Sequence, residues 1–249
     1  MALEKTSNKV ALITGGARRI GSYIAKTLHQ SGYDIMIHYR HSEDDAHDLC
    51  TRLNVQRQNS CARIDGDLSN IHSYEKIINA TIQTYGKLDA LINNASTFYP
   101  TNIEEVSEEH WQELMASNLK APIFLSKYAT PELRKTHGSI INIIDIYAQR
   151  PLANHPIYCS AKAGLQMLTK SLAYDLAPEI RVNGVAPGAI LWPENDSGMN
   201  SPEELLKRIP LQRLGDPSDI AKTIRFLLND VPYISGQIIS IDGGRTIMP

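Results

Sequence analysis

Short apolar runs alternate with longer amphipathic segments along the whole chain. Val10–Thr14, Tyr33–Tyr39, Ser60–Ile64, Leu88–Asn93, Ser139–Ile144, Arg181–Ala186 and Gln237–Ile241 have the length and β-branched content of strands. Between them, Ile20–Ser31, Glu43–Gln56, Ile71–Tyr85, Trp111–Ser126, Tyr158–Leu176 and Ser218–Leu228 repeat apolar residues at helical spacing. Continuous apolar strands belong to a sheet covered on both faces, and strands separated by helices pair in parallel. The pattern predicts an α/β three-layer sandwich around a seven-stranded, mainly parallel sheet. No Pro/Gly/Ser-rich linker, repeat or low-complexity stretch divides residues 1–249, so a single domain is expected. The longest irregular stretch runs from Gly188 to about Ser201, the length of a functional loop.

Composition narrows the function classes. With 42% hydrophobic and 21% charged residues, the chain can bury a full core. A net charge of −2 and the lack of any basic block argue against nucleic acid and against an anionic membrane surface. No apolar leader precedes Val10 and no run is long enough to span a bilayer, so a soluble, cytoplasmic protein is expected. Cys50, Cys61 and Cys159 form no C-x-x-C pair and read as reduced thiols. His38, His41 and His47 straddle a strand end and a helix start with no thiol or acid to complete a tetrahedral set, so no metal is expected.

The first strand runs into Thr14-Gly15-Gly16-Ala17-Arg18-Arg19-Ile20-Gly21 and then into a helix. Gly15 suits a tight turn, Gly21 suits close helix–sheet packing, and the amides at the helix start suit an anion. This context, rather than the glycines alone, points to a Rossmann-type dinucleotide site. NAD sites place a carboxylate at the end of the second strand, to hold the ribose 2′-hydroxyl. Here that strand ends His38-Tyr39-Arg40-His41-Ser42, with no acid before Glu43. A cation and hydroxyls suit a 2′-phosphate, so NADPH is the expected cofactor, with Arg18 and Arg19 able to approach the same phosphates. The alternative is that Arg40 and His41 belong to a solvated loop.

Tyr158 and Lys162 lie four apart at the start of a helical segment and so share a face. An ammonium beside a phenol favours the phenolate, which would let Tyr158 exchange a proton near neutral pH.

These residues make the chain recognisable. It resembles the short-chain dehydrogenase/reductase family over nearly its whole length: TG-x5-G at 14–21, Asn93-Asn94-Ala95, Asn118, Tyr158-x3-Lys162, Asn183 with Pro187-Gly188, and Asp242-Gly243-Gly244. Within it the chain is similar to the pteridine reductase branch through Ala17–Gly21, His38-Tyr39 with Ser42, Asn93–Pro100, Asp145 through Lys162, and Ile209–Arg213. The resemblance implies a pterin- or folate-type substrate reduced by NADPH. Asp145 stands where most of the broad family has a serine, which implies a ring C=N substrate rather than a simple ketone. It implies a catalytic set of Asp145, Tyr158, Lys162 and Asn118, with Asn118 supporting Lys162 through water and Lys162 also holding the cofactor ribose. Phe98 would stack on the pterin, and Arg19 and Ser96 would sit near the phosphates and the pterin edge. Gly15, Ile20, His38, Tyr39, Ser42, Asn94 and Ala95 would line the cofactor, Asp67 and Leu68 would border the adenine, and Pro187 and Gly188 the nicotinamide. A homotetramer is implied by the same likeness. The segment Ala189–Lys207 is expected to choose among pterins, and Trp192 within it would close over substrate or contact another subunit. A ketone or sugar reductase with an unusual aspartate, and a cofactor-binding protein without turnover, remain alternative readings.

Overall fold

The computed structural model describes residues 7–191 and 202–248. Its strands are β1 (Val10–Ile13), β2 (Asp34–Tyr39), β3 (Cys61–Asp65), β4 (Ala90–Asn93), β5 (Ser139–Ile143), β6 (Arg181–Pro187) and β7 (Ile238–Ile241). They form one seven-stranded sheet of order β3-β2-β1-β4-β5-β6-β7, with every pairing parallel. This is the Rossmann-type α/β fold expected from the alternating pattern. The helices are α1 (Arg19–Gln30), α2 (Glu43–Gln56), α3 (Ile71–Tyr85), α4 (Glu108–Met115), α5 (Ala121–Thr136), α6 (Pro156–Asp175), α7 (Pro202–Lys207) and α8 (Pro217–Asn229).

Side-chain alternation along the central strands splits the core into two layers. Ala11 and Ile13 of β1, with Ile35 and Ile37 of β2, pack under α1, α2 and α8 through Ile24, Leu28, Leu49, Ile220 and Ile224. Val10, Leu12 and Met36 face the other way, onto Tyr74 and Ile77 of α3 and Leu125, Ala129 and Leu133 of α5. A third group, Ile144, Leu165 and Ala186, seats α6 against the β5–β6 side.

The chain reverses its direction of winding between β1 and β4, which are hydrogen-bonded neighbours. In such sheets a crevice opens beyond the carboxyl ends of those two strands, and ligands bind there.

The helix expected over Trp111–Ser126 is present and longer at both ends: helical backbone runs without a break from α4 through one wide, π-type turn at Ala116–Lys120 into α5, which continues to Thr136. Pro131 lies inside α5; proline usually ends a helix, which hid this extension in the sequence. The loop after β6 is described only to Leu191, and α7 resumes at Pro202; Trp192 and most of the segment expected to choose the substrate lie outside the described residues.

Candidate active site

The crevice is a cavity of about 530 Å³, the size that holds small ligands, with walls drawn from both halves of the sheet. Its floor is the β1–α1 loop. Gly15 adopts φ +59°, and a side chain there would press on Ala95 Cα at 3.1 Å. A methyl group on Gly21 would collide with the Gly15 carbonyl, so the glycine is what lets α1 sit against the loop. Arg19 opens α1 with φ 49°, a left-handed conformation that an L side chain holds only under constraint, as is common at functional sites. Thr14 ties this loop to the end of β4: its hydroxyl accepts from the amides of Asn94 (2.9 Å) and Ala95 (3.0 Å). Asn94 returns the contact by donating to the carbonyls of Thr14 (2.8 Å) and Gly15 (3.0 Å).

Most of the expected cofactor residues line the cavity: Gly15, Arg18, Arg19, Ile20, His38, Arg40, Asp67, Leu68, Asn94, Ala95, Ser96, Tyr158, Lys162, Pro187 and Gly188. Arg40 pairs loosely with Asp67 at 4.0 Å, both about half exposed, and Arg18 pairs with Asp45 at 3.6 Å. Such exposed pairs are weak, so Arg40 can turn to another anion at little cost.

Two expectations need correction. Tyr39 does not face the cleft: its side chain is buried with Ile35, Ile37, Leu49 and Cys50 in the core. Ser42 is the N-cap position of α2 and lies outside the cavity wall. His38 lines the cavity as expected, and does so as a neutral strut. Its Nδ1 accepts from the Gly15 amide (3.3 Å) while its Nε2 bonds to the Gly66 carbonyl (3.0 Å), and burial pushes its pKa down to about 4. Asn118 is fully buried. Its amide donates to the carbonyls of Thr97 (2.8 Å) and Leu114 (2.9 Å), and its oxygen accepts from Ser96 (2.7 Å). It sits in the wide turn between α4 and α5, where it fixes the strand of chain carrying Ser96 and Thr97.

On the other wall, three titratable groups converge. The Tyr158 hydroxyl donates to Asp145 Oδ2 at 2.7 Å, and the Tyr147 amide donates to Oδ1 at 2.9 Å. Lys162 lies one turn along α6; its ammonium donates to the Ile143 carbonyl (3.0 Å) and lies 5.6 Å from the centre of the Tyr158 ring. All three groups are deep. Burial pushes the Asp145 carboxyl up, opposed by the two bonds it accepts and by the fields of Lys162 and Arg245. Burial pushes Lys162 down to about 8, opposed by Asp145. Burial and then Asp145 hold the Tyr158 phenol well above its ordinary value. Lys162 is not among the groups that act on the phenol here: burial first and Asp145 second keep Tyr158 a proton-bearing donor.

Phe98 stands over this group. It is 41% exposed, stacks on His155 (4.7 Å between centroids, 15°) and meets Tyr158 edge-on (4.8 Å, 77°). Its exposure excludes a core-packing role.

The sequence reading did not single out Tyr147 and Arg245, which line the same wall. Arg245 donates to the Tyr147 hydroxyl at 2.8 Å, across 98 residues of chain. It follows directly on Asp242-Gly243-Gly244, where both glycines adopt positive φ and Asp242 accepts from the amides of Gly244 and Thr246. That turn was visible in the sequence, but the direction of the residue after it was not. Glu113, bonded to the Tyr99 hydroxyl at 3.1 Å, and Leu205 of α7 complete the rim.

A parallel sheet with a glycine-floored crevice at its switch point, and a tyrosine–lysine pair beside it, is the arrangement of a nicotinamide-dependent oxidoreductase. Comparison with known proteins agrees. A family model described as enoyl-(acyl carrier protein) reductase matches residues 15–246. Pteridine reductase 1 of Leishmania tarentolae is 34% identical to this chain, with 96% of each protein covered. The 3-oxoacyl-(acyl-carrier-protein) reductase of Staphylococcus epidermidis RP62A is also 34% identical, over 95% of this chain and 98% of that protein. An uncharacterized oxidoreductase of Thermotoga maritima is 38% identical, over 96% of this chain and 97% of that protein. The chain belongs to the short-chain dehydrogenase/reductase family and is an oxidoreductase of that family.

Proposed function

We propose that this protein is an NADPH-dependent pteridine reductase, acting on a pterin of the dihydrobiopterin, dihydromonapterin or dihydrofolate type. The observation that carries this reading is the bond from Tyr158 to Asp145 beneath the exposed ring of Phe98. The relatives at equal identity carry names for two different substrates, so overall similarity does not choose between them. The carboxylate at position 145, where most of the family has a serine that holds a ketone oxygen, favours the ring C=N.

The walls suit NADPH. Gly15 and Gly188 leave room that side chains would fill: a Cβ at Gly188 would fall 2.7 Å from that of Asp242. The β2 end offers Arg40 and no acid until Glu43, which suits a 2′-phosphate. When bound, the nicotinamide supplies the hydride. Gly15 and the start of α1 would hold the pyrophosphate, Arg40 and Arg18 the 2′-phosphate, Lys162 the ribose, and Pro187 and Gly188 would border the nicotinamide ring.

Hydride addition to C=N leaves negative charge on nitrogen, which must take a proton. Tyr158 gives it, because burial and Asp145 keep its phenol protonated. Asp145 then passes a proton from solvent to the tyrosine, its Oδ1 held by the Tyr147 amide so that Oδ2 faces the phenol. Phe98 provides the flat wall against which a heteroaromatic ring stacks. Arg19 and Ser96 border the pterin edge, and Asn118 is a positioning residue that acts through Ser96 and Thr97.

The test is a panel of dihydro and oxidised pterins against simple and 3-oxoacyl ketones, with NADPH and with NADH, followed by nicotinamide absorbance. The expected result is fast oxidation of NADPH with a dihydropterin and little with ketones. Ketone turnover exceeding pterin turnover would instead establish the ketone-reductase reading.

We also infer a homotetramer, supported by the apolar surface that α6 leaves open at Met167 (63% exposed) and Tyr174 (87% exposed). Light scattering on the pure protein tests it, and a monomer would refute it.

A further inference from the structure

Away from the cleft, the structure brings together two cysteines that the sequence separates by a helix end and a loop. Cys50 Sγ on α2 and Cys61 Sγ at the start of β3 are 2.7 Å apart, and both are buried. This approach is built in by the surrounding polar contacts. Asn54 lies one turn after Cys50 on the same face of α2. Its side-chain oxygen accepts from the amides of Ser60 and Cys61 (2.9 Å each), and its amide donates to the Cys61 carbonyl (2.8 Å). The first residue of β3 is thus clamped to the helix face that carries Cys50. Further along, Arg63 of β3 pairs with Glu43 in the first turn of α2 at 3.8 Å. Two sulfurs at 2.7 Å are within reach of a bond whose own S–S length is about 2.05 Å. Cys159, on α6, is the remaining cysteine and is neither buried nor beside another thiol.

We propose that Cys50 and Cys61 form a dithiol–disulfide site that reversibly ties α2 to β3 when a peroxide is present. The Cys50 sulfur attacks one oxygen of hydrogen peroxide, the O–O bond breaks, and hydroxide leaves and is protonated to water. The sulfenic acid at Cys50 is then attacked by Cys61; the S–S bond forms, the S–O bond breaks, and a second water carries away the Cys61 proton. Two thiols lose two electrons and one peroxide gains them. A small thiol reductant reverses the step by exchange. Either sulfur can donate in the bond between them; with Cys61 as donor, the Cys50 thiol is held below the usual range and Cys61 above it, which favours Cys50 as the attacking sulfur. The crosslink acts on the fold, because α2 and β3 frame one edge of the sheet. It leaves the proton-transfer group in place, since Tyr158 and Lys162 on α6 and Asp145 just after β5 lie on the opposite side of β1.

The full-length protein is treated with hydrogen peroxide, quenched, denatured, alkylated with a maleimide and analysed by intact mass and peptide mapping. The expected product has one alkylated thiol instead of three and a Cys50–Cys61 linked peptide, both reversed by dithiothreitol. The oxidised protein melts at a higher temperature than the reduced one and keeps its turnover. Cys159→Ser still forms the crosslink, whereas Cys50→Ala and Cys61→Ala do not. The wild-type peptide map decides the matter even where a variant folds poorly. Three alkylatable thiols after peroxide, oxidation confined to Cys159, or an oxidised form that melts no higher would each overturn the proposal.

Discussion

The Tyr158 hydroxyl donates to Asp145 at 2.7 Å, the phenol buried and the carboxyl at the cavity wall beside Lys162. A phenol in this setting keeps its proton until a stronger acceptor arrives, which is what protonation of a reduced ring nitrogen requires. Tyr158→Phe removes that proton while leaving the ring that meets Phe98. Turnover of a dihydropterin is expected to fall by about 10²–10⁴, the usual span for a lost general acid. Binding of NADPH, followed by its fluorescence, persists. Asp145→Ala is expected to lower pterin turnover as well, by breaking the path that reloads Tyr158; full pterin activity in that variant would end the relay argument.

On the NADPH reading, Arg40 is the cation expected to choose between the two nicotinamide cofactors. Its pair with Asp67 is long and half exposed, so the guanidinium loses little on turning to a phosphate. Arg40→Ala is expected to raise the KM for NADPH about tenfold, the loss of one charge-assisted hydrogen bond, while leaving the KM for NADH where it was. Steady-state kinetics with each cofactor reads this directly. An equal change for both cofactors would place Arg40 outside phosphate recognition.

The layered fold was legible because each central strand alternates its two faces without interruption, as Ala11/Ile13 and Val10/Leu12 do. The same rule contained the correction at Tyr39. Residues 35, 37 and 39 share a face, so Tyr39 had to follow Ile35 and Ile37 into the core, leaving position 38 to face the loops. The motif residues of the cleft were legible by type, but their partners were not. Nothing in a string of letters says that His38 spends both ring nitrogens on backbone groups, or that Asn118 bonds to Thr97, Leu114 and Ser96. Arg245 reaches Tyr147 only because two glycine turns redirect the chain after β7. Contacts of that kind depend on tertiary placement, which local periodicity does not encode.

Phe98 separates a stacking role from a stability role. At 41% exposed it buries far less area than a core phenylalanine, so Phe98→Ala is expected to cost about 1 kcal/mol of unfolding free energy, below the 3–5 typical of buried sites. The KM for a dihydropterin is expected to rise about tenfold, in line with a lost aromatic stack of roughly 1 kcal/mol or slightly more. Urea melts and pterin kinetics on the same preparation distinguish the two effects. A large stability loss with unchanged KM would return Phe98 to the core.

His38 makes the cofactor loop sensitive to acid. Its Nδ1 accepts from the Gly15 amide, so a proton there would set two donors against each other, and burial penalises the charge as well. The folded-state pKa of about 4 lies below the ordinary histidine value of 6.5, so the unfolded chain takes up the proton first. Stability from this group is therefore complete above pH 6.5 and is lost as the pH falls from 6.5 through 4. At 1.36 kcal/mol per pH unit, the loss approaches about 3 kcal/mol. In His38→Asn, which cannot titrate in this range, urea melts should show a correspondingly shallower decline between neutral pH and pH 4, the other acid-sensitive groups being common to both proteins. Parallel pH profiles for wild type and variant would mean that the ring is already protonated in the fold, and that the Gly15 amide is held by something other than this histidine.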